Sequence, residues 1–157
     1  FLLLAIIGTW HATGTLTFAA GGIFRPDTPH LVSGILLVLF IFGIGKAALL
    51  GTRYTMEEDF YSGVLRRRGI EVLIPEAADR AMINDVIFQE LCLGRIEDAS
   101  RQKLLSVIDG LRERGAQGVV LGCTEIGLLL PPQDGDFPLL DTTVLHATAA
   151  AEMALAR

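Results

Sequence analysis

Charge enters this sequence abruptly, and that break limits what a single fold can do with the chain. Residues 1–45 carry Arg25 and Asp27 and no other formal charge, whereas Lys, Arg, Asp and Glu occur at ordinary density from Lys46 onward. The change falls inside "FGIGKAALLGTRYTMEEDF", residues 42–60, which continues an uncharged run on its left and opens a charged, capped helix on its right. One part can be apolar on every side; the other needs a wet face. The expected division is therefore a hydrophobic, membrane-like helical segment at 1–45 and an α/β domain at 46–157. Within the first part, "FLLLAIIGTWHATGTLTFAAGGIF" is about the length of a membrane span, "LVSGILLVLFIFGIG" is a second, shorter apolar run, and "RPDTPH" is a polar turn between them. A secretory signal fits poorly, because no basic stretch precedes the apolar residues. Membrane contact through residues 1–45 is the expectation.

From Lys46 the pattern alternates. "AALLGT" is a short apolar run ending in Gly-Thr, the profile of a buried parallel strand that delivers a loop. Thr55-Met-Glu-Glu58 reads as a capping box, predicting a helix from about Met56 to Arg67 with Gly69 as its stop. "IEVLIP" is the next strand. "EAADRAMINDVIFQELCLG" sets Ala81, Ile83, Val86, Ile87 and Leu91 at helical spacing, with Gly94 as terminator, and "EDASRQKLLSVIDGLRERG" is a further amphipathic helix ending at Gly115. "GVVLGCTEI" is a strand and tight turn, "FPLLDTT" another strand, and "TVLHATAAAEMALA" a last helix. Strands alternating with helices predict α/β architecture, a parallel sheet flanked by helices.

Several function classes drop out on composition. The net charge of −5 lies wholly in the second part. The one basic run, Arg66-Arg67-Arg68, suits the last turn of a helix, so no basic stripe is available for a nucleic acid. Cys92 and Cys123, the chain's two cysteines, are too few and too far apart for a disulfide scaffold or a metal cage. No metal ligand set is predicted, and a reducing, cytoplasmic setting fits residues 46–157.

Three predicted strand ends converge in such a sheet: Gly51-Thr52, Gly122-Cys123-Thr124-Glu125 and Asp141-Thr142-Thr143. Ligands of parallel sheets bind at the carboxyl ends of strands. A thiol at the start of a helical turn sees backbone N–H groups, which favour the thiolate, so Cys123 is expected to act as a base. Thr52 and Thr124 are each expected either to hold a substrate carboxylate or to cap a helix. Cys92 falls on the inward side of its predicted helix and reads as a buried structural residue. His146, on an Ala-rich helix, also reads as structural.

Two resemblances follow from these motifs. "GTLTFAAGGIF", "LVSGILLVLFIFGIG" and "GIGKAAL" resemble the antiporter-like, proton-translocating membrane subunits of respiratory complex I and multisubunit sodium/proton antiporters. In that family the motif's lysine lies in a transmembrane helix on the proton path, a role that would fall to Lys46. "LLGTRYTMEEDFY", "LIPEAADRAMINDVIFQELCLG" and "GAQGVVLGCTEIGLLLP", in order, resemble the C-terminal half of the aspartate/glutamate racemase family. "GCTEI" is similar to the aspartate and broad-specificity branch, and many relatives hold a lysine in place of Cys92. The resemblance implies a cofactor-independent reaction. One cysteine removes the α-proton of an acidic amino acid, and a second cysteine delivers a proton to the opposite face. Here it implies Cys123 as the catalytic thiol and Thr52, Thr124 and Glu125 as substrate-binding residues.

In that family the partner thiol lies in the N-terminal half, which nothing in residues 1–45 resembles. The expected function is therefore an amino-acid racemase that is incomplete, with a homodimer as one way to pair two copies of Cys123. The alternative is a fragment of a proton-translocating membrane subunit. The stretch "KAAL" could end the membrane motif and begin the racemase strand, which points to a chimeric chain. The resemblance further implies that the terminal helix packs on the N-terminal half.

Overall fold

Four of the apolar runs become strands, and their lengths follow the apolar residues closely. In the computed structural model, which describes residues 43–130 and 137–155, β1 is Lys46–Leu50, with α1 (Arg53–Glu57) and α2 (Asp59–Arg67) after it. Then come β2 (Glu71–Leu73), α3 (Ala77–Gln89), a 3₁₀ turn at Leu91–Leu93, and α4 (Asp98–Glu113). The chain continues through β3 (Val119–Leu121), α5 (Ile126–Leu129), β4 (Leu139–Asp141) and α6 (Thr142–Leu155). All described residues fall in one compact unit, Gly34–Arg157.

The sheet is parallel throughout, in the order β2-β1-β3-β4. The chain steps outward from β1 to β2, then returns past β1 to β3 and on to β4. The order therefore reverses between β1 and β3, the kind of crevice where open α/β sheets bind ligands. Register sets Ala48 opposite Val119 and Leu50 opposite Leu121. Ala47, Ala48, Leu49 and Leu50 have no exposed surface, so both faces of β1 are covered. Ala48, Leu50, Val119 and Leu121 point into the principal core with Met56, Ile83, Ile87, Leu104 and Leu111. This matches the predicted architecture for residues 46–157.

The helices depart from the sequence reading in instructive ways. The first cap is Thr52, whose Oγ1 accepts from Thr55 N at 3.2 Å, rather than Thr55, which is buried inside α1. The predicted single helix is also broken at Glu58, whose extended backbone (ψ 153°) ends α1 and precedes α2. Gly69 (φ +80°) ends α2 as predicted, and Arg66 and Arg67 occupy its last turn. Ile83, Val86, Ile87 and Leu91 are buried, but Ala81 is exposed. Cys92, expected to face inward, is exposed on the 3₁₀ turn: the α-helix ends at Gln89, and the tighter turn keeps Leu91 inward while rotating Cys92 outward.

Lys46 is likewise corrected. It is the first residue of β1, with Nζ 2.8 Å from Glu71 Oε1 on β2, and is not part of a helix. No helix among the described residues is long and apolar enough to cross a membrane. The membrane-like segment expected at 1–45 lies, but for its last three residues, outside the described residues.

At the carboxyl ends of β1 and β3 the backbones nearly touch. Gly122 N donates to Leu50 O at 2.7 Å. A Cβ placed on Gly51 would lie 2.9 Å from both Cβ and Cγ2 of Thr55 and 3.2 Å from Gly122 O. Gly51→Ala should therefore destabilise the fold by about 1–3 kcal/mol, the cost of overpacking, read as a lower urea midpoint. Gly110→Ala, whose Cβ meets nothing within 4 Å on α4, should be neutral or stabilising by about 0.5–1 kcal/mol.

The last helix is held differently from the others. Of its described side chains only Thr142 is buried; Val144 is 55% exposed and Leu155 85% exposed. Exposed apolar residues along one element promote association. A fragment of residues 46–157 is expected to elute as dimers or larger species at tens of micromolar, by size exclusion with light scattering. Val144→Lys should shift it toward monomer.

Candidate active site

The crevice is built from what each strand does when it ends. Past Leu50, Gly51 turns the chain and Thr52 caps α1, its hydroxyl lying 3.0 Å from Thr55 Oγ1. Past Leu121, Gly122 again permits the close approach, because its Cβ would meet Thr55 Cγ2 at 3.0 Å and Leu49 Cδ1 at 3.2 Å. Thr52 and Cys123 thus leave adjacent strands at the same level. Past β4, Asp141 Oδ1 accepts from the backbone N–H groups of Thr143 (2.8 Å) and Val144 (3.3 Å), satisfying the start of α6. Thr142 Oγ1 donates to Leu121 O at 2.8 Å, tying β4's exit to β3's. The three predicted strand ends therefore do meet along one edge of the sheet.

Cys123 is the thiol among them. Its Sγ lies 3.0 Å from Glu125 Oε2, and Thr124 Oγ1 donates to the same oxygen at 2.7 Å. Partial burial first, then the hydrogen bond to the Glu125 carboxylate, push the thiol up to about 11. The N–H groups of Glu125 and Ile126 pull the other way and are outweighed. The expectation of a thiolate is corrected by this: α5 has four residues and a weak dipole, and the residue two positions on is an anion. Glu125 is held below the usual carboxylate range by its bonds from Cys123 and Thr124.

The four residues singled out in the sequence are therefore brought to one edge, with Cys123, Thr124 and Glu125 in direct contact and Thr52 on the neighbouring strand exit. Thr52 serves as a helix cap, one of its two foreseen roles. Sequence reasoning missed the supporting role of three residues, two of which it had named for other reasons. Thr55 fills the space that the two glycines leave open. Asn84 Oδ1 accepts from Arg53 N at 3.0 Å, anchoring α1's first turn to α3. Asp141 packs so tightly against Gly127 that any side chain there would collide with its carboxylate. Asp141 stood in a recognised strand end; nothing in the sequence marked Asn84. The turn bearing Cys92 packs on α5, the helix that starts just beyond Cys123.

A profile of the family described as Asp/Glu/Hydantoin racemase matches residues 35–150. The chain belongs to that family. The match begins before Lys46 and takes in the end of the second apolar run. Among solved structures, this racemase-family chain is similar to a Yersinia pestis protein assigned to the Asp/Glu racemases, at 47% identity and a TM-score of 0.75 over 80% of this chain and 55% of that one. It is also similar to an aspartate racemase homologue from Pyrococcus horikoshii OT3 (31% identity, TM-score 0.71, 79% and 54% covered). The aspartate racemase of Picrophilus torridus shares the fold at 22% identity (TM-score 0.59, 82% and 54% covered). The chain thus spans about half the length of these relatives.

The racemase-family thiol gives a direct pH test. Cys123 is raised from 9.0 to about 11 on folding, so the folded state holds its proton more tightly than the unfolded state. Its contribution to stability is present below pH 9 and is lost as pH rises toward 11. Urea midpoints should fall across that window, and the fall should shrink in Cys123→Ala. At pH 8, iodoacetamide should label exposed Cys92 well before Cys123.

Proposed function

We propose that this chain carries one thiol arm of a cofactor-independent amino-acid racemase acting on small acidic amino acids. Cys123 exchanges a proton with the α-carbon from one face, while hydroxyl and N–H donors at the exits of β1 and β3 receive the α-carboxylate. The observation behind this reading is a thiol, a carboxylate and two threonine hydroxyls gathered at the strand-order reversal of a racemase-family sheet. Thiols suit the reaction because their proton affinity can be tuned over the range that α-proton transfer needs. Thr52 can combine capping with substrate contact, since its Oγ1 accepts from Thr55 N and from the Thr55 hydroxyl and keeps its own hydrogen for a carboxylate; Thr124, whose one hydrogen goes to Glu125, leaves that contact to the backbone N–H groups of its turn. A reducing cytoplasmic setting agrees with the free thiols of Cys92 and Cys123.

Racemisation needs proton transfer on both faces, and Cys123 serves one. The second base would come from a second copy of the chain or from the half of the relatives that this chain does not span. Exchange should therefore run ahead of inversion. With L- or D-aspartate or glutamate in D₂O, mass spectrometry should show α-deuteration, and chiral chromatography should show inversion lagging behind it. Cys123→Ala should lower the exchange by about 10²-fold or more, the scale of a single general acid–base group. Exchange that persists in Cys123→Ala, or no exchange from any of the four substrates, overturns the proposal.

A further inference from the structure

We propose that Glu125 is a positioning residue that keeps Cys123 as the protonated partner of the reaction, and that it does not bind substrate. The inference rests on the racemase reading and assigns a direction to this thiol's first proton transfer. An ionised carboxylate only accepts hydrogen bonds. At 3.0 Å from Glu125 Oε2, the Sγ of Cys123 must supply the hydrogen itself. Thr124 donates to the same oxygen at 2.7 Å, so Oε2 is fixed from two sides and the carboxylate cannot swing away without losing both bonds. Burial adds to this, because a thiolate in this partly covered position would lose hydration and lie against an anion.

The other titratable groups on elements around the turn leave this arrangement intact. Asp141 on β4 directs Oδ1 to the N–H groups of Thr143 and Val144. Cys92 lies on the 3₁₀ turn against α5, and Arg53 beyond β1 bonds to Glu57 at 3.4 Å. Among the described residues, Glu125 is the charged side chain that acts on the thiol.

The resting state is then a thiol ready to donate. When the second base takes the α-proton from the face away from Cys123, that C–H bond breaks and the electron pair of the flattened carbanion takes the hydrogen of Cys123 on the near face. The C–H bond forms, the S–H bond breaks, and the sulfur keeps its pair as thiolate. That thiolate, beside Glu125, is a stronger base than an ordinary one and is returned to the thiol by abstracting the α-proton of the opposite enantiomer. Burial and this carboxylate together make the same sulfur a protonated donor at rest and a strong base in return.

The test uses the full chain with Cys92→Ser, so that Cys123 alone reports. Alkylation of Cys123 by iodoacetamide is followed by mass spectrometry across pH, with and without L-aspartate, and circular dichroism checks the fold. Glu125→Gln should move the alkylation midpoint down from about 11, raise the rate at pH 8 several-fold, and leave the half-protecting aspartate concentration unchanged. Glu125→Asp, which keeps the charge but withdraws the oxygen, should fall between the two and carries the test if Glu125→Gln does not fold. A profile in either folded variant that superimposes on the parent overturns the proposal. So does a raised half-protecting concentration with an unmoved midpoint, which would make Glu125 a substrate contact. A shifted midpoint with no aspartate protection in any variant supports the Glu125–Cys123 coupling and locates the failure in the racemase reading.

Discussion

Everything at the crevice depends on how closely β1 and β3 can lie beside each other where they end. Parallel pairing holds Ala48 against Val119 and Leu50 against Leu121, and the final bond of the ladder, Gly122 N to Leu50 O, is 2.7 Å. One residue further, two glycines face Thr55, and neither has room for a Cβ without displacing it. The absence of two side chains therefore brings the exits of two strands to one level, where Thr52 and Cys123 emerge together. The same contact fixes α1, because Thr55 both fills the gap and donates its N–H to the Thr52 cap. A small packing constraint thus links strand register, helix start and the position of the Cys123 sulfur.

Around that contact the rest of the sheet is a support. β1 is buried on both faces, as its uninterrupted apolar run requires. β4 is tied in by Thr142 Oγ1 to Leu121 O, and α6 begins directly from it with Asp141 satisfying the first N–H groups. On the other side of β1, Glu71 of β2 bonds to Lys46 at the strand's first residue. That ion pair joins two partly exposed side chains and contributes little to stability. It does place Lys46 in a strand, where a role borrowed from a membrane helix has no physical basis.

The fold was legible wherever hydrophobic period and glycine punctuation agreed. Three of the four strands ended where the apolar runs met Gly-Thr, Gly-Cys or Asp-Thr, and β2 stopped at Leu73, short of Pro75. Gly69, Gly94 and Gly115 all stop their elements with positive φ. Legibility failed where a local signal competed with packing. Thr55-Met-Glu-Glu58 has the form of a capping box, yet Thr55 is needed in the gap between glycines, so the cap moves three residues earlier. Cys92 was placed by extending a helical period past the end of the helix, and a 3₁₀ turn rotated it into solvent. Asn84, which anchors Arg53 from 31 positions away, carried no pattern that periodicity or spacing can detect.

The placement of the four named residues along one strand-end edge was legible, and the charge of the thiol among them was misread. A cysteine after a buried strand, followed by the start of a helical turn, suggests a lowered thiol, and the N–H groups of Glu125 and Ile126 do act in that direction. Two features of the same tetrapeptide reverse the sum. Half-burial removes water from any thiolate, and Glu125, two residues on, folds back so that its carboxylate meets the sulfur while Thr124 holds it there. A four-residue helix offers few aligned peptides against a full negative charge at 3.0 Å. The motif Gly-Cys-Thr-Glu therefore encodes a different state from a bare cysteine at a helix start. Burial and the motif's last two residues together favour the protonated form of its second.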